Sequence, residues 1–177
     1  MITISIDPGL SGACSVFDHN GLKVVFDIPR MRIPGIGPDA RVKDKIDARA
    51  FLRELRRHWP ADEKAEAVLE RIQTNGDSGH GIQTQASLLR SVGAIEAVLE
   101  CMGTPVTYLA PKQWQGFYGL TKVAPRDRKR RSLETARTLY PTCEAITLAK
   151  HHNRAESILI GHCHIRHADS ATAPLPF

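Results

Sequence analysis

The first 28 residues constrain the fold more than any other stretch. Residues 2–7 alternate apolar and polar side chains (Ile-Thr-Ile-Ser-Ile-Asp), which is the period of a strand. Asp7-Pro8-Gly9-Leu10-Ser11-Gly12 then breaks the pattern. The proline fixes φ, and the two glycines permit a tight turn or a close backbone approach. Residues 13–17 and 22–28 read as two more strands, and Asp18-His19-Asn20-Gly21 between them contains Asn-Gly, a strong hairpin signal. A chain that opens this way forms a three-stranded antiparallel meander.

Downstream the apolar period changes. Residues 29–44 hold Pro29, Pro34, Gly35, Gly37 and Pro38 and read as a loop. Residues 47–58 read as a helix with Phe51, Leu52 and Leu55 on one face and Asp47 near its start. Residues 65–70 suit a short buried strand, and Thr74 to Gly81 a polar loop. A helix is expected from about Thr84 to Cys101, with Leu88, Val92, Ile95 and Leu99 at helical spacing. Residues 105–109 form another strand, and Pro111 opens a short helix containing Trp114. Two helices follow, a basic one over 126–140 with Leu133, Ala136 and Leu139 inward, ended by Pro141, and one over 152–166 with Ala155, Ile158 and Leu159 inward. The order βββ-α-β-α-β-α-α predicts an α/β fold, a mixed sheet flanked by helices. No repeat or internal boundary interrupts residues 1–167, and residues 168–177, with two prolines and little to bury, read as a fraying tail.

Chemistry concentrates at the ends of the buried elements. Asp7 follows the first strand, Glu70 ends Ala67-Val68-Leu69, and Glu156 precedes Ser157-Ile158-Leu159-Ile160, with His152 one helical turn before it. Each has a plain structural explanation: Asp7 capping a turn, Glu70 paired with Arg71, Glu156 placed to favour a helix dipole. Together they suit an oxygen-rich divalent-metal site, because carboxylates are costly to bury unless paired or bound to metal.

The same segments resemble RuvC-type Holliday junction resolvases, especially the shorter phage-type members. The resemblance rests on Ile4-Ser5-Ile6-Asp7-Pro8-Gly9-Leu10-Ser11-Gly12-Ala13, Val68-Leu69-Glu70, Leu109-Ala110-Pro111-Lys112-Gln113-Trp114, the basic segment from Arg131 to Pro141, and Arg154-Ala155-Glu156-Ser157-Ile158-Leu159-Ile160. These fall in family order across residues 2–166. The resemblance implies a ribonuclease H-like fold with a five-stranded sheet. It also implies active-site carboxylates at Asp7, Glu70 and Glu156. A further family position holds an aspartate or histidine three or four residues before the last carboxylate. This chain has Asn153 and His152 there, and His152 is the favoured ligand, with Asn153 second because it offers only a neutral oxygen. An inactivating Asp→Asn change at 153 is the alternative reading.

The implied activity is a crossover junction endodeoxyribonuclease that nicks four-way DNA junctions in paired, symmetric cuts as a homodimer. Two Mg²⁺ ions, or Mn²⁺, would serve each active site. The alternatives are a nuclease on other branched DNA such as flaps and forks, a non-catalytic junction-binding protein, and an ATP-binding protein of the actin-like superfamily. The chain's length and its lack of a second phosphate-binding hairpin count against the last.

The charge pattern suits a nucleic-acid partner. The net charge is +5 in 177 residues, weak evidence by itself. Arg126, Arg128, Lys129, Arg130 and Arg131 cluster at the start of a helix, where cations oppose the helix dipole and phosphate would favour them. Lys122, Arg71 and Lys112 are the other candidate contacts to DNA backbone. The loop after Glu70 carries Gln73, Thr74 and Asn75 and no aromatic side chain to wedge into a junction. His162, Cys163, His164 and His167 lack zinc-site spacing and read as a histidine-rich helix end. The four cysteines have no CxxC spacing and read as free thiols. No apolar run reaches transmembrane length and no signal peptide opens the chain, so a cytoplasmic setting in a bacterial or phage-infected cell is expected.

Overall fold

The structure is a computed structural model that describes residues 1–60, 63–72 and 81–172, the last four by backbone alone. Its centre is a five-stranded sheet. Strands β1 (Ile2–Asp7), β2 (Ala13–Asp18) and β3 (Gly21–Asp27) form the expected meander. Strands β4 (Arg30–Arg32) and β5 (Asp44–Ile46) stand apart as a small antiparallel ribbon. Helix α1 (Ala48–His58) leads into β6 (Ala65–Glu70), and α2 (Ile82–Cys101) into β7 (Val106–Leu109). Helices α3 (Pro111–Phe117), α4 (Pro125–Leu139) and α5 (His152–Thr172) complete the chain. The sheet order is β3-β2-β1-β6-β7, antiparallel across the meander and parallel from β1 to β7.

Side-chain alternation on β1 divides the core into two layers. Ile2, Ile4 and Ile6 are fully buried beside Phe51 and Leu55 of α1 and Val92, Ile95 and Leu99 of α2. The opposite face meets α5 and α4, through Phe17, Val68, Leu133, Ala136, Ile158 and Leu159. There α5 comes close to the sheet because its contact residues are small. Ser5 Oγ donates to the Ser157 carbonyl at 2.7 Å, and Ser15 Oγ and Ser157 Oγ share a hydrogen bond of 2.6 Å. These buried hydroxyls are therefore satisfied, which keeps the polar layer from costing stability. At Gly161 a Cβ would stand 2.3 Å from the Phe17 ring and 2.7 Å from Ser5 Cβ, so a glycine is required there.

Most expected elements are present, with boundaries moved by a residue or two. Asp47 caps α1, accepting a hydrogen bond from the Ala50 amide at 3.0 Å. Three expectations need correction. Residues 29–44 are not all loop: the stretch folds into the β4–β5 ribbon, whose tip takes up Pro34, Gly35, Gly37 and Pro38 and leaves the flanking residues free to pair. Leu139 is 40% exposed at the last turn of α4, not inward. Helix α5 continues to Thr172, into the segment read as a tail, and 173–177 lie outside the described residues. Gln73, Thr74 and Asn75 also lie outside them. Within the described residues, no helix is long and apolar enough to cross a membrane, and Cys14, Cys101, Cys143 and Cys163 are unpaired.

Candidate active site

The topology brings the acidic residues together. Strands β1 and β6 are parallel neighbours with Ile6 opposite Leu69, so Asp7 and Glu70 occupy adjacent strand ends. By alternation both lie on the face that carries Ser5 and Val68, the side covered by α5. Glu156 lies at the start of the second turn of α5, one residue before the Ser157 that ties this helix to β1 and β2.

The three carboxylates feel one another. Burial, then the charges of Glu70 and Glu156, push the Asp7 pKa well above the usual carboxylate range, while Lys129 acts in the opposite direction. Burial raises Glu70 to about 7; a hydrogen bond from Trp114 opposes this and the Glu156 charge adds to it. Burial also raises Glu156, opposed chiefly by Lys129, then by the Ser132 hydroxyl and Arg128. Ser132 Oγ is buried and forms no hydrogen bond of normal geometry, yet lies near enough to favour the ionised Glu156.

Two positioning groups were not legible as such in the sequence. The buried Trp114 donates from Nε1 to Glu70 Oε1 at 2.8 Å, holding one carboxylate oxygen and leaving the other for a ligand. The signal was Pro111-Lys112-Gln113-Trp114 itself, since Pro111 starts α3 directly after β7 and returns the indole towards the end of β6. Lys129, one of the cations expected at DNA backbone, also acts through its charge on both Asp7 and Glu156. Counting back one helical turn from the buried Leu133 would have placed it on the sheet-facing side of α4.

His152 and Asn153 are less directly engaged with the acids. Lys129 Nζ lies 3.2 Å from His152 Nε2. An ammonium can only donate, so Nε2 is the acceptor and the ring is neutral. Burial and the Lys129 charge lower the His152 pKa, in keeping with that state. The Asn153 amide donates to the Ser11 carbonyl, fastening the start of α5 to the loop that follows Asp7. Arg154 adds a second fastening, a two-pronged ion pair with Asp27 at 2.7 Å per contact.

The remaining cations are spread around this centre. Arg71 and Lys112 are exposed near the ends of β6 and β7, and Lys122 is exposed before α4. Arg130 and Arg131 both pair with Glu134, and Arg126 and Arg130 lie near Asp127, so part of the α4 charge is already compensated. Arg128 is half-buried, donates weakly to the Val123 carbonyl at 3.4 Å, and acts on Glu156. The histidine-rich end of α5 is not a shared centre: His162 bonds to the Tyr118 hydroxyl and His164 to Glu66.

The donors suit a hard divalent cation in kind. All three carboxylates are raised by burial, and neighbouring acidic charge raises Asp7 and Glu70 further, so the cluster calls for positive charge; the cations acting on it here are Lys129 and Arg128. Among the described residues no three His, Cys, Asp or Glu side chains are already drawn to metal-ligating spacing.

The fold is ribonuclease H-like, with the mixed five-stranded sheet and flanking helices of RuvC. Two solved structures illustrate the likeness. A Thermus thermophilus RuvC in complex with a Holliday junction substrate is 16% identical, and a second T. thermophilus RuvC structure is 18% identical. Each superposes with a TM-score of 0.55 over 98% of both chains. No family model matches the sequence, and neither does any curated protein.

Proposed function

We propose that the chain is a divalent-metal-dependent, structure-specific endonuclease that resolves four-way DNA junctions. The observation that carries this reading is the convergence of Asp7, Glu70 and Glu156 at one end of a RuvC-like sheet. The DNA-bound neighbour supports the choice of substrate. The phage-type segments in the sequence and a cytoplasmic site of action belong to the same reading.

Asp7, Glu70 and Glu156 would hold two Mg²⁺ or Mn²⁺ ions, with His152 completing the set and Asn153 as the second choice. When bound, the ions supply charge stabilisation to the attacking and leaving oxygens of the phosphodiester. The protein's own groups have separate tasks. Trp114 keeps one Glu70 oxygen occupied and the other presented. Lys129 balances the acids; His152 Nε2 becomes free to ligate only when Lys129 turns from it, for instance towards a phosphate. Arg71, Lys112, Lys122, Arg126 and Arg128 would contact the backbone without reading its sequence. Arg130 and Arg131 would do so in competition with Glu134.

Paired cuts require two sites, so a homodimer is part of the proposal. Helix α2 supplies a candidate face, since Ile82 and Leu89 are 86% and 50% exposed on it. A non-catalytic junction binder is the second reading, favoured by Asn153, whose amide is committed to Ser11.

The test compares synthetic four-way junction, flap, fork and duplex DNA in Mg²⁺ and in Mn²⁺. Paired nicks in the junction are expected. Faster cutting of flaps or forks would move the substrate, and tight junction binding without cleavage in either metal would favour the second reading. His152→Ala and Asn153→Ala, assayed together, identify the fourth ligand; the larger loss is expected for His152→Ala.

A further inference from the structure

The β4–β5 ribbon lies outside the carboxylate cluster, beside the loop that follows Asp7. Residues 30–46 carry Arg30, Arg32, Arg41, Lys43 and Lys45 against Asp39 and Asp44. Asp44 lies 4.0 Å from Arg30 and 3.6 Å from Arg32. Arg41, Lys43 and Lys45 are exposed and form no ion pair with a described residue. Their charge faces solvent without internal compensation.

The ribbon is held firmly at its base. Ile28 and Ile46 are buried in the core, the Asp47 amide donates to the Pro29 carbonyl at 2.9 Å, and the Ile33 amide donates to the Lys43 carbonyl at 2.8 Å. Arg30 is therefore presented by a paired strand, and Arg41 by the connection that this strand pair closes.

Two cavities flank the loop that follows Asp7. One, of about 700 Å³, lies between Pro8–Ser11, Arg41 and the start of α2. The other, of about 310 Å³, runs from Leu10 and Ser11 past Arg30 to Lys129, Lys150 and His152. Leu10 and Ser11 line both, as a ridge between them. Residues 30–46 thus set one arginine in each cavity, on either side of the Leu10–Ser11 ridge in the loop that follows Asp7. One cavity carries Arg41 as its charged lining residue and the other Arg30, Lys129, Lys150 and Arg154 against Asp27; two such cavities joined across a ridge suit a continuous polyanion, and guanidinium groups suit its phosphate oxygens.

We propose that the β4–β5 ribbon is a phosphate clamp: Arg41 and Arg30 grip the backbone of one DNA strand on the two sides of the bond to be cut. This rests on the nuclease reading for the identity of the polyanion. The grip reads backbone and not bases, so it raises affinity for every sequence alike. Each phosphate held releases counterions, which makes the clamp visible in the salt dependence of binding.

The experiment measures binding of a labelled four-way junction over a series of NaCl concentrations, in an Asp7→Asn background so that cleavage does not intervene. Arg30→Ala/Arg41→Ala is expected to reduce the slope of log K against log salt by roughly 1.5–2. Its affinity at about 0.1 M salt should fall by an order of magnitude or more. Arg30→Lys/Arg41→Lys should recover most of the slope. Arg53→Ala/Arg56→Ala, which removes the same charge from the exposed face of α1, should leave the slope in place. An unchanged slope in Arg30→Ala/Arg41→Ala, or an equal loss in the α1 variant, would overturn the clamp. The two readings fail separately. Junction nicking by the wild-type chain with an unchanged slope sinks the clamp alone. A slope lost in the ribbon variant, with no nicking by the wild type, sinks the nuclease alone.

Discussion

Glu70 and Trp114 stand 44 positions apart in the chain and meet in a single 2.8 Å hydrogen bond. A hydrogen bond to a charged group contributes roughly 1.5–3 kcal/mol. Trp114→Phe keeps most of the ring packing and removes the donor. We expect it to raise the Mn²⁺ concentration needed for half-maximal cleavage by about tenfold; a metal titration checks this. The Glu70 pKa makes a further prediction, independent of activity. Its value is raised from 4.5 to about 7 by burial, so its ionisation weakens the metal-free fold as pH rises from below 4.5 through 7. Glu70→Gln should match the wild type near pH 4. At pH 8 in EDTA it should be more stable by on the order of 1–3 kcal/mol. Urea melts at the two pH values decide it, and a Glu70→Gln advantage that is larger at pH 4 would contradict the assignment. Such partnerships were only half legible beforehand. Asp7, Glu70 and Glu156 could be read because each ends or begins an apolar run. Trp114 could not be joined to Glu70, nor Lys129 separated from its basic neighbours, because both facts depend on packing between distant segments.

Helix α5 carries Glu156 to the site, and its depth depends on Ser157 and Gly161 against β1 and β2. Gly161→Ala would force a methyl into the Phe17 ring and Ser5, and overpacking of this kind costs about 1–3 kcal/mol. Since Glu156 rides on the same helix, cleavage should fall along with stability. A thermal melt and a junction assay on Gly161→Ala check both, and an unshifted melt would contradict the packing account. The meander and most helices were legible because periods of two and 3.6 residues persist through them. The β4–β5 ribbon was hidden because Pro34, Gly35, Gly37 and Pro38 dominate its middle, while its pairing is confined to two three-residue strands. The last turns of α5 are hidden because residues 168–172 carry no apolar period to mark a helix.

At the scale of the whole molecule, the sheet order puts the two parallel strand ends of β1 and β6 beside one another, with α4 and α5 closing over them. Under the proposed function one such centre would make one nick, and resolution of a junction would need two. If α2 forms the dimer face, Leu89→Glu places a charge on its exposed apolar surface. Sedimentation equilibrium should then show the dimer weakened by at least about tenfold, and paired nicks should give way to single ones. Unchanged association would move the interface elsewhere on the surface.

The most direct measurement is strand cleavage of a four-way junction in Mg²⁺ or Mn²⁺ by the wild-type chain and by Asp7→Asn. The wild type should nick opposing strands. Asp7→Asn should bind the junction but cut it at least about 100-fold more slowly. Cleavage by Asp7→Asn at the wild-type rate, or no cleavage of any branched DNA by the wild type, would contradict the account.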